Sequence, residues 1–236
     1  MLGVLANSIA VLVGGIIGML CGSRIKKKYT DSLMVALGLA TIGVGVVSTV
    51  GTSDPLCIIV CCSLGTVIGE LLHIDDGVNA LGRLAERRLG SKSSNGGNFT
   101  GAFVSCSIMF CIGSMAVMGS VEAGINGDNS ILYAKAVLDL IASLAYGAAM
   151  GMGAAASFVC VLVVEGGLTL LAGAMAPLLT DAIVTEMSAV GGVLLIGLAI
   201  NLMELRAQPI KIASMLPAVF LPAAYVPIYN WVTSLV

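Results

Sequence analysis

Residues 100–153 read TGAFVSCSIMFCIGSMAVMGSVEAGINGDNSILYAKAVLDLIASLAYGAAMGMG, and this stretch decides the class of the fold. Two long apolar segments flank a glycine-rich, acidic connection. A helix needs about 20 apolar residues to cross the hydrocarbon core of a bilayer, and the second segment is long enough. It nevertheless carries Lys135 and Asp139. An ionisable group at that depth is costly, so it faces the protein interior or a water-filled path. Lys135, Asp139, Ser143 and Tyr146 fall within an arc of about 80° at 100° per residue, which makes one polar stripe on one helix. Asp139 lies about 12 Å along the helix from Ile131, near the middle of a core about 30 Å thick.

Composition extends this reading to the whole chain. It has 236 residues, 58% hydrophobic and 10% charged, with a mean hydropathy of +1.06. Soluble domains carry roughly 25% charged residues, so the deficit points to a membrane. Residues 2–21 lack the basic start and cleavage site of a signal peptide and read as a mature helix. The sequence predicts one integral membrane domain over 1–236, an all-α polytopic bundle of about eight helices. They are expected at 2–21, 33–50, 56–72, 100–118, 131–152, 155–172 and 187–203, with the last after Pro209. Residues 73–99 are the exception. Ile74, Val78, Leu81, Leu84, Ala85 and Leu89 recur at helical spacing against Arg83, Glu86 and Arg87. That pattern predicts a cytoplasmic amphipathic helix on the membrane surface, started by Asp75 and Asp76, then a flexible linker at 90–97.

Glycine and proline punctuate the bundle. Gly14, Gly18 and Gly22, and again Gly65 and Gly69, form small-xxx-small faces for close helix packing, within the chain or in a homo-dimer. Gly113-Ser114 and Gly119-Ser120 read either as breaks that open the backbone to a substrate or as small residues for close packing, the latter favoured, and Glu165-Gly166-Gly167 as an interruption of its helix. Pro217, Pro222 and Pro227 predict a kinked last helix, and Tyr225, Tyr229 and Trp231 an interfacial aromatic belt. No inverted repeat is legible beyond a few small and aliphatic residues.

Charge orients the chain. Of eleven basic residues, all but Lys135 fall at 24–28, 83–92 and 206–211. If the first helix enters from outside, eight spans put these groups in cytoplasmic loops and both termini outside. The outer loops then hold only acids: Asp54, Glu122, Asp128, Asp181 and Glu186.

A transport path through such a bundle would use its polar residues. The candidates are Lys135, Asp139, Ser143, Tyr146, Ser114, Ser120, Glu165 and Asn201. The competing reading makes Lys135 and Asp139 a self-neutralising pair with the lysine snorkelling to the interface, and Asn7 and Asn201 bridges between helices. Cys57 and Cys61 share a helix face that suits a soft metal. Yet all seven cysteines lie in apolar segments, where cysteine serves as a small apolar residue. His73 is the sole histidine, too few for a histidine-rich zinc site or a bis-histidine haem. There is no phosphate-binding loop and no HExxH pattern. No enzyme activity, cofactor, metal or nucleic-acid partner is therefore expected.

Five phrases carry a resemblance: LANSIAVLVGGIIGMLCGSRI (5–25), LGTVIGELLHID (64–75), FCIGSMAVMGS (110–120), LYAKAVLDLIASLAYGAAMGMGAAAS (132–157) and EMSAVGGVLLIGLAINLMELRAQPIKIASMLPA (186–218). Together they resemble the bacterial multi-spanning inner-membrane family called domain of unknown function 554. The resemblance covers nearly the whole chain. It implies a bacterial cytoplasmic-membrane protein suspected of transport, and it supplies no catalytic residues. At position 165 it implies an uncharged polar residue where this chain has Glu165. The expected function is movement of a small ion or solute across the bilayer, coupled to an ion or passive. The alternatives are a non-transporting scaffold with a structural charged pair, and soft-metal transport through Cys and Met.

Overall fold

The computed structural model describes residues 1–22, 27–78, 80, 99–175 and 179–233. The basic cluster at 83–92, most of the expected surface helix and its linker lie outside the described residues. Within them the structure is all-helical, with no strand. The elements are α1 (Leu2–Gly22), α2 (Lys27–Val50), α3 (Pro55–Leu71), α4 (Phe99–Cys111), α5 (Ser114–Ile125), α6 (Ser130–Met150) and α7 (Met152–Ala156). They continue with α8 (Phe158–Met175), α9 (Asp181–Leu202), α10 (Ile212–Met215), a 3-10 turn (Leu216–Val219) and α11 (Pro222–Thr233).

Among the described residues, five helices are long and apolar enough to cross a membrane, and up to seven spans result if each bent pair is one. The expected count of eight included α3. With 17 residues, that helix reaches only about 26 Å at 1.5 Å per residue. Large apolar side chains such as Leu39, Val47, Ile59, Ile141, Val163 and Leu170 stand exposed around the bundle, which calls for an apolar surrounding.

The breaks fall where the backbone leaves no alternative. α4 and α5 meet at 61° across Gly113, whose φ of +148° excludes side chains. Ser120 sits buried inside α5, so no second break occurs at Gly119-Ser120. The expected interruption at Glu165-Gly166-Gly167 is also absent, because α8 runs through all three. The discontinuity lies earlier, at Ser157, whose hydroxyl donates to the Ala154 carbonyl at 2.6 Å. The segments before and after Phe220-Leu221 bend by 44°, as the prolines required.

Two helices start earlier than expected. α2 begins at Lys27, and α9 begins at Asp181 behind Thr180, whose hydroxyl accepts from the Ile183 N–H. Glu186 is consequently not a loop acid. It lies buried in α9, accepting from the Thr52 hydroxyl at 2.6 Å and the Ser53 N–H at 2.8 Å. It thereby ties the turn before α3 to α9. Asp128 does stay in an exposed loop, where the Ser130 hydroxyl and N–H hold its carboxyl below the usual range.

Helix contacts follow glycine. α1 and α6 make the most extensive pairing. A Cβ on Gly14 would strike Ser143 and the Leu140 carbonyl; on Gly18 and Gly22 it would strike the carbonyls of Leu144 and Ala148. Gly65 and Gly69 likewise leave room for Ala218 and Ser214. All five expected packing glycines therefore meet helices of the same chain. α2 lies on α9, α4 on α7, and α5 on α8. The α1 N-terminus is fastened by Gly3 N–H donating to Asn129 Oδ1 at 2.8 Å, which satisfies one of the donors a helix start leaves open.

Candidate functional site

Where α1, α6 and α8 converge, the polar stripe of α6 closes into a charged cluster. Lys135 Nζ pairs with Asp139 Oδ2 one turn along the same helix and stands 3.3 Å from Glu165 Oε1 on α8. Asn7 on α1 donates Nδ2–H to the same Glu165 oxygen at 2.8 Å, and its amide also faces Asp139. Lys135 is 6% exposed, Asp139 8%, and Glu165 and Asn7 not at all. The lysine therefore does not snorkel outward, because two inward carboxylates and the close α1–α6 seam hold it in.

Ionised, this group carries one ammonium and two carboxylates, a net charge of −1 shut away from solvent. Burying a charge costs free energy unless it is paired, and pairing here is unequal. Within the cluster Glu165 Oε2 and Asn7 Oδ1 have no hydrogen-bond partner, and the same holds for the buried Ser8 Oγ of α1, Ser120 Oγ of α5 and Thr169 Oγ1 of α8. Ser120 and Glu165 each lie one turn before the contact that Gly124 makes with Thr169 and Ala172. Unsatisfied buried polar atoms are rare, and each calls for a cause such as strain, a functional role, or an ordered water or ion.

The remaining candidates divide. Ser143 is buried against Gly14 and donates to the Leu140 carbonyl at 3.0 Å, filling the seam. Tyr146 shares a 2.7 Å hydrogen bond with Thr41 of α2 and meets Phe110 edge-on. Ser114 is exposed at the α4–α5 bend. Asn201 is not brought to the cluster. It bridges to Ile210 through two 2.8 Å bonds and closes the loop after α9. Tyr225, from the expected aromatic belt, donates to Asp54 Oδ2 at 2.9 Å.

Cys57 and Cys61 stand 3.7 Å apart, sulfur to sulfur, and all seven cysteines are free. Among the described residues no group of three His, Cys, Asp or Glu side chains could hold a metal ion. Sequence reasoning did not foresee the part of Ser8, Thr169 or the Thr41–Tyr146 bond. Asn7 had a signal: it is the one amide of the first helix, beside Ser8 in an otherwise apolar run.

Comparison with known proteins agrees with this architecture. A family model described as "Protein of unknown function (DUF554)" matches residues 2–227. The chain belongs to this family. It is 28% identical to the uncharacterised protein YqgA of Escherichia coli (strain K12), covering 93% of this chain and 94% of the relative. It is also 26% identical to the uncharacterised membrane protein YdfK of Bacillus subtilis (strain 168), over 94% of each. No solved structure gives a significant match. The apolar helices and the membrane relative place the chain in a membrane.

Proposed function

We propose that this DUF554 protein moves a small ion or solute across the bacterial cytoplasmic membrane, along a path that meets the Lys135–Asp139–Glu165 cluster. One observation carries the reading: a second buried carboxyl joins the Lys135–Asp139 pair, and Glu165 Oε2 and Asn7 Oδ1 within the cluster have no hydrogen-bond partner. A purely structural pair would gain nothing from the extra carboxylate. Replacing a buried ion pair by apolar side chains is often neutral or stabilising, so a third ionisable group beside the pair points to use. We infer that α3, whose 17 residues meet the lower limit for a span, crosses as the eighth span, so that both termini lie outside and the basic residues gather on the cytoplasmic side.

Proteoliposomes holding a pH-sensitive dye, under imposed proton, sodium or potassium gradients, test the proposal. The wild-type protein is expected to dissipate at least one gradient, and Asp139→Asn to bring the rate down to that of protein-free vesicles while folding is kept. Unchanged flux in a folded Lys135→Met/Asp139→Leu/Glu165→Gln variant would refute it and leave the scaffold role. A wild-type protein that dissipates none of these gradients would refute movement of these ions.

A further inference from the structure

We propose that Glu165 is a proton-binding site, holding one exchangeable proton on Oε2 and donating it to Asn7 Oδ1. Its use as a coupling proton rests on the transport reading above; the proton itself does not.

The geometry points to it from both partners. Asn7 Nδ2 already donates to Glu165 Oε1 at 2.8 Å. The two atoms left over on these same groups, Glu165 Oε2 and Asn7 Oδ1, are both fully buried and both without a partner. As an ionised carboxylate and an amide, both atoms are acceptors, and neither can serve the other. One proton on Oε2 changes that. The carboxyl and the amide then form a two-bonded ring, with N–H donating to Oε1 and O–H donating to Oδ1. The same proton removes the net −1, leaving Lys135 and Asp139 as a balanced pair.

The other groups around Glu165 do not supply that charge. α6 contributes only Lys135 and Asp139. Cys111 of α4 feels Lys135, Asp139 and Glu165 through space, and Cys160 of α8 lies beside it. α1 presents Asn7 and Ser8, and α7 has no titratable residue. α5 presents Ser120, while its one acid, Glu122, bonds Asn126 at 2.7 Å. When the Oε2–H bond breaks, the proton passes to water and Lys135 is shared between two carboxylates. The cluster is then left one positive charge short, ready for a proton to return.

Infrared spectroscopy of the full chain in lipid nanodiscs reads the proton directly as the carbonyl stretch of a neutral carboxyl. At neutral pH the wild type is expected to show one such band that hydrogen–deuterium exchange shifts. It should move on carboxyl-¹³C glutamate labelling and not on aspartate labelling, which needs no variant. Glu165→Gln, whose amide reproduces the neutral ring, should fold and lose the band. Asp139→Asn should also lose it, because Lys135 then balances Glu165 alone. Lys135→Met should keep the glutamate band and add an aspartate one. A band that follows aspartate labelling, or that survives Glu165→Gln, would overturn the assignment. So would a wild-type band abolished by sodium or potassium chloride at fixed pH, which would make the charge partner a cation. A glutamate band in a protein without flux would sink the transport reading and leave the proton site standing.

Discussion

Lys135→Met removes the only cation that Asp139 and Glu165 share, and the cost can be worked from their burial. The side chains are 12% and 0% exposed. Taking one partner from a buried pair typically costs about 3–5 kcal/mol, because the remaining charge is left uncompensated. At 1.36 kcal/mol per decade this is roughly two to four orders of magnitude in the unfolding equilibrium. Asp139→Asn should cost less. Lys135 keeps Glu165 at 3.3 Å, so the loss is closer to one charged hydrogen bond, about 1.5–3 kcal/mol. The double change Lys135→Met/Asp139→Leu removes both remaining charges and leaves Glu165 holding its proton, so it should return stability to within about 1 kcal/mol of wild type. Adding Glu165→Gln, whose amide reproduces the neutral carboxyl, should change stability little further. Thermal unfolding by circular dichroism in a mild detergent ranks the four variants at neutral pH. The Lys135→Met protein has a further signature. Its folded state takes up protons that its unfolded state does not hold at neutral pH, so its deficit should shrink as pH falls. A Lys135→Met variant as stable as Asp139→Asn, with no pH dependence, would show that the ammonium does not serve both carboxylates.

Two more predictions test the frame around the cluster. Gly18→Leu should destabilise by about 3 kcal/mol or more, above ordinary overpacking, because its Cβ meets the Leu144 backbone and not a side chain that can turn away. The oligomeric state should stay as in wild type, and an unchanged unfolding temperature would refute the seam. In a cysteine-free background, a cysteine at Gly127 should be labelled by an impermeant maleimide from outside, and one at Ser94 or Lys27 only from the cytoplasm. External labelling at Ser94 would reverse the whole topology.

The helical class was legible because apolar length is a strong signal, and the stripe on α6 because helical period aligns Lys135 with Asp139. The glycine faces were legible for the same reason, but not their partners, since spacing shows a flat face and never what lies on it. Glu165 was named, yet its neighbours were hidden. Asn7 and Lys135 lie 158 and 30 positions away in sequence, and only tertiary packing brings them together. Glu186 was misplaced through a boundary. Asp181 and Thr180 begin α9 two turns sooner than its apolar run suggests, carrying the carboxylate from loop to interior. The interruption expected at Gly166-Gly167 failed because each glycine costs a helix only about 1 kcal/mol, which a long packed helix absorbs.

The pairing of α1 with α6, and of α2 with α9, bears on how the molecule is made. Neighbours in sequence are not the main neighbours in space. During synthesis α1 enters the bilayer more than a hundred residues before the helix that covers its glycines, and longer still before Glu165 reaches Asn7. Through that interval its flat face and lone amide stand open to lipid or to the insertion machinery. The half-made chain, from α1 to α5, is therefore a set of helices awaiting partners, and assembly depends on late closure of contacts between distant segments.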